Sequence, residues 1–209
     1  MDAQLVLDRA PLIDWAVAGV ALAGEARSGD LHVVEEFAGG ALIAVVDGLG
    51  HGEEAAEAAA MAVTTLEEHA EESVEALVRR CNEELRGTRG VAMTIVSLNA
   101  AGQTMSCLGV GNVECVLIRG RGHAAPARES VMLRGGVVGY SLPPLRASIF
   151  PYSRGDTLIF ATDGVRSGFV AGLWWSERPQ QAADRILTQF GRGTDDALVL
   201  VARVIGGEA

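Results

Sequence analysis

Apolar residues are concentrated in short runs whose lengths suit β-strands. Two such runs, WAVAGVAL (15–22) and ALIAVV (41–46), are bounded by Gly, Asp and Arg and predict buried strands. The polar segment GEARSGD (24–30) between them predicts a turn. After residue 90, three segments separated by short turns favour antiparallel pairing: VAMTIVSLN, QTMSCLGV and NVECVLIR. Two later strands are predicted at DTLIFAT (156–162) and ALVLVARV (197–204).

Helical periodicity occurs in two longer segments and one short one. From Glu53 the chain is rich in Ala and Glu, and apolar residues recur at helical spacing at Ala55, Ala59, Ala62, Val63 and Leu66. A second helix is predicted to begin after Ser73, its N-cap, and to stop at Gly87. A short helical pattern runs through Ala182, Ile186 and Leu187. Strands around helices, with mostly hairpin connections, predict an α+β sandwich in which helices cover β-sheets.

The chain length and composition predict one globular domain spanning residues 1–209. The 209 residues can bury a sizeable core, 49% of them are hydrophobic, and neither a repeat nor a linker interrupts them. No apolar run reaches the length of a membrane span. The acidic start of the chain lacks the basic region of a secretory signal. We therefore expect a cytoplasmic protein that has no membrane partner.

Net charge and cysteine content indicate which partners and metal sites the protein has. A formal net charge of −10 disfavours binding to nucleic acid or to anionic membrane. An acidic protein that handles phosphate needs positive charge from elsewhere, and divalent cations supply it. Cys81, Cys107 and Cys115 are odd in number and contain no CxxC pair, so we expect reduced core residues rather than a disulfide or a zinc site.

Three aspartates lie at the edges of predicted strands. Asp47 ends AVVDG, Asp163 ends IFATDG, and Asp196 begins the last strand in DDALVLV. Carboxylates at strand ends are held by rigid backbone and face solvent, and hard divalent cations prefer such oxygen ligands. Asp47 and Asp163 each precede a glycine, which we expect to let the backbone turn sharply and present a carbonyl. Taken singly, each DG pair is first of all a turn.

Taken together, these motifs resemble those of a known family. VVDGLGHG (45–52) at the start of an Ala-rich helix, IFATDGV (159–165) and TDDALVLVARV (194–204) look like the motifs of the metal-dependent, type 2C-like (PPM) protein phosphatases. Their order and spacing are similar to the bacterial branch typified by the sporulation phosphatase SpoIIE. GEARSGD is similar to the first acidic motif of that branch, and intermediate segments such as GVGN (109–112) and GGVVGY (135–140) extend the resemblance over nearly the whole chain. Within the branch, the chain is most similar to the feedback phosphatases of the stressosome.

The resemblance implies a fold, a reaction and a set of ligands. The fold is a PPM-type β-sandwich of two antiparallel sheets flanked by helices. The reaction is hydrolysis of phosphoserine or phosphothreonine by a water bridged between two divalent cations, Mn²⁺ preferred or Mg²⁺. The residues implied to act are Asp47, which bridges both cations; Gly48, whose carbonyl binds one; Asp163 and Asp196, which bind the other; and Asp30, which orients metal-bound water. Asp195 is the alternative to Asp196, which is ranked first because it lies nearer the strand in the register of the family motif.

Weaker signals concern proton transfer and partners. His51 is the nearest imidazole to the metal motif and is a candidate general acid. Eukaryotic relatives have histidine directly after the DG pair, where this chain has Leu49, so a capping or supporting role at the helix start is the alternative. Asn112 is interpreted either as a turn residue or as a group that positions phosphate. We predict that Trp174 or Trp175 contacts a partner protein.

The implied substrates are phosphorylated STAS-domain proteins of a stress-signalling complex, and we expect the enzyme to be a monomer. Two other functions compete with this interpretation. One is a catalytically silent, phosphatase-like module that binds a phosphoprotein without hydrolysing it. The other is an unrelated acidic protein whose DG turns are fortuitous. The full set of aspartates argues against the first, and the order of several motifs argues against the second.

Overall fold

Two β-sheets and three helices are arranged along the chain in the computed structural model, which describes residues 11–120, 127–171 and 177–206. The elements are β1 (Ile13–Val20), β2 (Asp30–Phe37), β3 (Gly40–Gly48), α1 (Glu53–Glu68), α2 (Val74–Glu84), β4 (Val91–Asn99), β5 (Thr104–Val110), β6 (Glu114–Ile118), β7 (Arg128–Ser130), β8 (Leu133–Arg134), β9 (Ser148–Pro151), β10 (Thr157–Ala161), α3 (Pro179–Phe190) and β11 (Ala197–Val204).

The strands form a first sheet in the order β1-β11-β10-β6-β7 and a second in the order β2-β3-β4-β5-β8, with β9 also paired to β5. Pairing within the described ranges is antiparallel except between β5 and β8, which run parallel over two residue pairs. The predicted sandwich of two antiparallel sheets is therefore confirmed, with one short parallel exception. The parallel pair arises because the chain returns to the edge of β5 from the other sheet.

The central strands are apolar at nearly every position because both of their faces are buried. In β3, Ile43 and Val45 face the core between the two sheets, whereas Leu42 and Ala44 face the core under the helices. β11 divides its residues between the inter-sheet core and the α3 core in the same way. Successive strand residues point to opposite faces, so a continuous apolar run serves two cores. The result is four layers in the order helix, sheet, sheet, helix.

The helices were predicted closely. α1 begins at Glu53 as expected, and its buried alanines let it lie close to β2 and β3. Ser73 caps α2 by accepting a hydrogen bond from the backbone N–H of Ala76, which confirms its predicted role. α2 ends at Glu84, and Gly87 follows in the left-handed region with φ 89°. α3 corresponds to the short helical pattern, and Ala182 and Ile186 are buried on its inner face.

Two strand predictions need correction. β2 lies where only a preceding turn was recognised, because it is an edge strand whose glutamates and few buried residues obscure the alternating pattern. β5 and β6 were expected to pair, yet they belong to different sheets, and β6 pairs with β10. Gly111, with φ 96°, turns the chain between the sheets. Both strands are apolar on two faces, so periodicity gives no information about which partner each one takes.

The three cysteines are free and buried, as predicted. Burial raises the pKa of the thiols of Cys81 and Cys107 to about 12, so they remain protonated core groups. Across the three described ranges, no helix combines the length and the apolar character needed to cross a membrane.

The crossover from β5 to β6 provides a test of the fold. Thr94 on β4 donates its hydroxyl to the carbonyl of Val113 at 2.6 Å, and both residues are buried. Thr94→Val keeps the shape and leaves that carbonyl without its donor, which should cost about 1–3 kcal/mol of unfolding free energy. Thr94→Ser, which keeps the hydroxyl, is the matched control and should lose less. Urea unfolding measures both, and equal losses would mean that packing of the methyl group matters more than the hydrogen bond.

Candidate functional site

Asp30 and Asp47 lie side by side at one end of the second sheet. Asp30 is the first residue of β2, Asp47 is the penultimate residue of β3, and the two are directly opposite in the antiparallel register. Like charges directly opposite each other destabilise a strand pair. A charge arrangement that the sheet itself disfavours marks this edge as a functional candidate.

A second group of aspartates comes from the first sheet. Asp163 follows the end of β10, and Asp195 and Asp196 immediately precede β11. The backbone N–H of Thr162 donates to the carbonyl of Leu198 at 3.1 Å, which continues the pairing of β10 and β11 to this point. Asp163 is exposed, Asp195 is half-buried and Asp196 is buried.

Side-chain hydrogen bonds join these two groups across the sandwich. The hydroxyl of Thr162 donates to Oδ2 of Asp30 at 2.7 Å within the protein interior. Asp196 accepts the backbone N–H of Gly29 through Oδ2 and that of Leu22 through Oδ1, each at 2.7 Å. Thr162 and Asp196 belong to the first sheet, whereas Gly29 and Asp30 lead into the second. The site therefore lies where the ends of the two sheets meet.

The glycines of the two DG pairs are required for close packing. A Cβ atom on Gly48 would lie 2.1 Å from the carbonyl oxygen of Ala55 at the start of α1. One on Gly164 would lie 1.9 Å from the carbonyl oxygen of Asp196. Neither glycine has a positive φ. Gly48 is the last residue of β3, whereas Asp163 and Gly164 are the central residues of a turn that the N–H of Val165 closes by donating to the carbonyl of Thr162 at 3.0 Å. The expected turn therefore occurs at the second DG pair, and at both glycines the fold uses the lack of a side chain.

Burial and mutual repulsion raise the pKa values of the aspartates. The pKa of Asp47 rises to about 8, chiefly because burial disfavours its charge and then because of Asp30, Asp163, Asp195 and Asp196. The pKa of Asp30 rises to about 7, mainly through burial, although the Thr162 hydrogen bond opposes the shift. The side chain of Asp163 is partly accessible, and its partial burial and the charge of Asp195 raise its pKa, while Arg192 and the hydrogen bond from Asn112 lower it. These carboxylates carry more negative charge than their surroundings neutralise.

Two further polar groups border the aspartates, and His51 lies apart from them. The side-chain amide of Asn112 donates to Oδ2 of Asp163 at 2.7 Å. Arg192 lies close enough to Asp163 to lower its pKa, and its backbone N–H donates to the carbonyl of Gly164 at 2.8 Å. His51 is exposed, and its Nδ1 lies 2.7 Å from Oε1 of Glu25 on the loop before β2. Among the residues that the structure describes, the amide of Asn112 and the guanidinium of Arg192 thus lie beside Asp163.

The donor set suits hard divalent cations, which bind carboxylate and carbonyl oxygens. Within residues 11–120, 127–171 and 177–206, no group of three or more His, Cys, Asp or Glu side chains is arranged closely enough to hold a metal ion as it stands. The carboxylates converge electrostatically without forming a closed cage. Their uncompensated charge is the observation that fits a cation here.

The structure brings together the four predicted aspartates, Asp30, Asp47, Asp163 and Asp196, with Gly48 beside Asp47. His51 lies apart, and α1 has no side-chain cap, so the predicted capping alternative for this histidine is wrong. Thr162 and Arg192 were missed, although both adjoin aspartate motifs in the sequence and could have been found there. Trp174 and Trp175, predicted to meet a partner, lie outside the described residues.

Comparison with known proteins identifies the family of this chain. The family profile of SpoIIE, the stage II sporulation protein E, matches residues 38–205. The chain belongs to the SpoIIE family. This confirms the resemblance on which the sequence interpretation was based.

Individual proteins and solved structures show how far this similarity extends. The phosphoserine phosphatase RsbX of Bacillus subtilis (strain 168) is 31% identical over 125 residues, which is 59% of this chain and 60% of RsbX. The match thus spans less than two thirds of that relative. A chain from a structural study of the bacterial stressosome, described as a modular system adapted to control secondary messenger signalling, superposes with a TM-score of 0.83 at 27% identity, covering 91% of this chain and 99% of the other. RsbX in complex with magnesium has the same fold, with a TM-score of 0.80 at 22% identity over 92% of this chain and 95% of the other.

Clustered charge at the site predicts that Asp47→Asn stabilises the metal-free protein. Because the pKa of Asp47 is about 8 when folded and 3.8 ordinarily, its ionised form opposes folding. The wild type should therefore lose stability as pH rises from about 4 to about 8. At pH 8 and without metal, we expect the variant to melt on the order of 5 °C higher, with a smaller gain at pH 5.

The control for this measurement is Asp14→Asn, which neutralises an exposed aspartate on β1. Its melting temperature should stay close to that of the wild type at both pH values. Equal shifts in the two variants would mean that net charge, rather than local repulsion, limits stability.

Proposed function

We propose that this chain is a metal-dependent protein serine/threonine phosphatase. The observation that carries the proposal is the convergence of carboxylates from both sheets, with the pKa of Asp30 at about 7 and that of Asp47 at about 8. Such uncompensated charge at a strand-end site favours divalent cations, which also neutralise an anionic substrate. Membership of the SpoIIE family and the likeness to RsbX support the same activity.

The proposed cation ligands are the carboxylates of Asp47, Asp163 and Asp195 and the carbonyl of Gly48. Asp195 replaces Asp196 in this set because both oxygens of Asp196 already accept backbone N–H groups and the residue is buried. Asp195 is more accessible and raises the pKa of both Asp47 and Asp163. When bound, divalent cations supply an activated water and positive charge for the phosphate oxygens. Mn²⁺ and Mg²⁺ both suit these oxygen ligands.

The other residues of the site hold its groups in place and complement substrate charge. Thr162 fixes one oxygen of Asp30, which leaves the other available to orient water. Asn112 restrains Asp163, which as an exposed side chain would otherwise be free to rotate. Arg192 is exposed beside Asp163 and is the group we assign to the phosphate oxygens.

His51 is proposed to act indirectly. Its bond to Glu25 ties the segment before α1 to the loop before β2, and both segments border the aspartates. An exposed pair of this kind is weak, so its effect should be modest.

The proposed substrates are phosphoserine and phosphothreonine on STAS-domain proteins of a stress-signalling complex. The likeness to RsbX and to the stressosome structure supports this class. We further propose that the enzyme is monomeric and cytoplasmic, which is compatible with its three free cysteines. Incubation with a panel of phosphorylated STAS-domain proteins from the same organism tests the substrate class, and failure to dephosphorylate any of them would reject it.

The competing function is a silent module that binds phosphoproteins without hydrolysing them. It predicts phosphopeptide binding without phosphate release at any metal concentration. A module that does not turn over has no need for five mutually repelling carboxylates, since they destabilise the fold.

We expect phosphate release from p-nitrophenyl phosphate to depend on Mn²⁺ or Mg²⁺ and to be lost in two variants. Asp47→Asn and Asp163→Asn should each lower kcat/KM by about 100-fold or more, since each removes a proposed ligand. Asp14→Asn should keep wild-type turnover. Circular dichroism must show that the variants are folded, and substantial remaining turnover in either would reject the ligand assignment.

His51→Ala should lower turnover by less than about tenfold, and by the same factor on p-nitrophenyl phosphate and on a phosphoserine peptide. The reason is that a group acting through its contact with Glu25 affects both substrates alike. A general acid matters far more for the serine alkoxide, a poor leaving group, than for nitrophenolate. A deep loss confined to the phosphoserine peptide would instead identify His51 as the proton donor.

A further inference from the structure

The loop between β1 and β2, residues 21–29, is held at both of its ends by one side chain. Asp196 accepts the N–H of Leu22 near the start of the loop and the N–H of Gly29 at its end, each at 2.7 Å. These bonds connect residues 174 and 167 positions apart in the chain. Asp196 is only 4% exposed, so water competes little for its oxygens. Hydrogen bonds to an ionised acceptor in such surroundings are stronger than those between neutral groups.

We propose that Asp196 is a positioning residue that clasps this loop and thereby places Asp30, and that it does not itself bind a cation. The inference concerns the site of the proposed phosphatase and rests on that function only where it refers to turnover. The geometry of the clasp stands independently of the reaction.

Gly29 shows that the loop end is built for this contact. A Cβ atom at Gly29 would lie 3.0 Å from the Cβ of Ala55 on α1 and 3.3 Å from Oδ2 of Asp196. The carbonyl of Gly29 also accepts the N–H of Gly48 at 3.0 Å. Gly29 is thus enclosed by α1, by β3 and by the carboxylate of Asp196, and only glycine fits without displacement of a neighbour.

The position of Gly29 determines that of Asp30. The N–H of Asp30 donates to the hydroxyl of Ser28 at 3.1 Å, and its carboxylate accepts the Thr162 hydroxyl. A loop end that moved away from Asp196 would carry Asp30 with it and strain the bond to Thr162. Through this chain of contacts, a buried aspartate on one sheet controls a carboxylate on the other.

Within the part of the chain that the structure describes, the other side-chain bonds from the loop to the rest of the protein are weak. Glu25 bonds to His51 and Arg27 bonds to Glu53, both at 2.7 Å on the protein surface. Exposed pairs of this kind contribute little to stability. Asp196 is therefore the main restraint on the loop.

The two adjacent aspartates accordingly have different tasks. Asp195 is half-buried, and its Oδ1 accepts the backbone N–H of Asp196 at 2.9 Å. It influences Asp47 and Asp163 electrostatically. Asp196 instead accepts hydrogen bonds from both ends of the loop. A test must separate a loss of loop restraint from a loss of cation binding.

Limited trypsin digestion measures how well the loop is restrained, because Arg27 lies within the loop and is exposed. In Asp196→Asn, the amide nitrogen cannot accept the hydrogen bond that the lost oxygen accepted. We expect cleavage after Arg27 to become about tenfold faster than in the wild type, as measured by mass spectrometry of all fragments that end at Arg27, since trypsin can also cut after Arg9. The magnesium-induced rise in Tm should persist, and turnover of p-nitrophenyl phosphate should fall.

Asp195→Asn is the matched control. It should leave cleavage after Arg27 at the wild-type rate and abolish the magnesium-induced rise in Tm. Leu98→Ala controls for global destabilisation, because Leu98 is a core residue at the end of β4 that lies away from Asp47. This variant should not accelerate cleavage after Arg27 more than cleavage at other sites.

Asp196→Asn with wild-type cleavage and no magnesium response would overturn the proposal and identify Asp196 as a ligand. Should this variant fail to fold, Gly29→Ala disturbs the clasp without changing the carboxylate, and it must accelerate the same cleavage. An unchanged rate in Gly29→Ala would also overturn the proposal. Absence of phosphatase activity in the wild type would reject the proposed function and leave the cleavage result unaffected.

Discussion

Directional hydrogen bonds between the ends of the two sheets are the constraint on which the site depends. Apolar packing fixes the distance between the layers of a sandwich, yet it is non-directional and tolerates small shifts of one sheet relative to the other. The bonds from Thr162 to Asp30 and from Gly29 to Asp196 do not tolerate such shifts, since each is 2.7 Å long and buried. They set the register in which the aspartates converge.

This convergence has an energetic cost that the rest of the fold offsets. Carboxylates with raised pKa values at neighbouring positions oppose folding when they are ionised. The two-faced strands β3 and β11 each contribute to two apolar cores, which gives a chain of 209 residues a large buried area. A stable scaffold can therefore hold a locally destabilised site, as is common where chemistry requires repelling groups.

Small residues decide how closely the elements approach at the site. Gly48 lets the start of α1 rest on the end of β3, and Gly164 lets the turn after β10 rest on the backbone of Asp196. Gly29 and Ala55 do the same for the loop before β2. In each case a methyl group would move a carboxylate-bearing segment. The geometry of the acidic site thus depends on missing side chains as much as on present ones.

Local signals in the sequence were sufficient for the elements and the family. β4 and β11 begin and end where their apolar runs predicted, because strands buried on both faces carry an unambiguous hydrophobic pattern. The sequence predicted the Ala-rich face of α1 and the Ser73 cap of α2 equally well. The strand-end aspartates could be named from motif order, because the backbone context of each is local.

The tertiary structure decided the features that depend on residues far apart in the chain. It showed that β6 pairs with β10 rather than with β5. It also showed β2, an edge strand whose alternation of apolar and polar residues is weak. It also distinguished Asp196, whose oxygens are taken by Leu22 and Gly29, from Asp195, which remains accessible. Two adjacent aspartates are equivalent in a sequence motif. Asp196 is set apart by its partners Leu22 and Gly29, which lie 174 and 167 positions away, and local sequence holds no information about contacts over that distance.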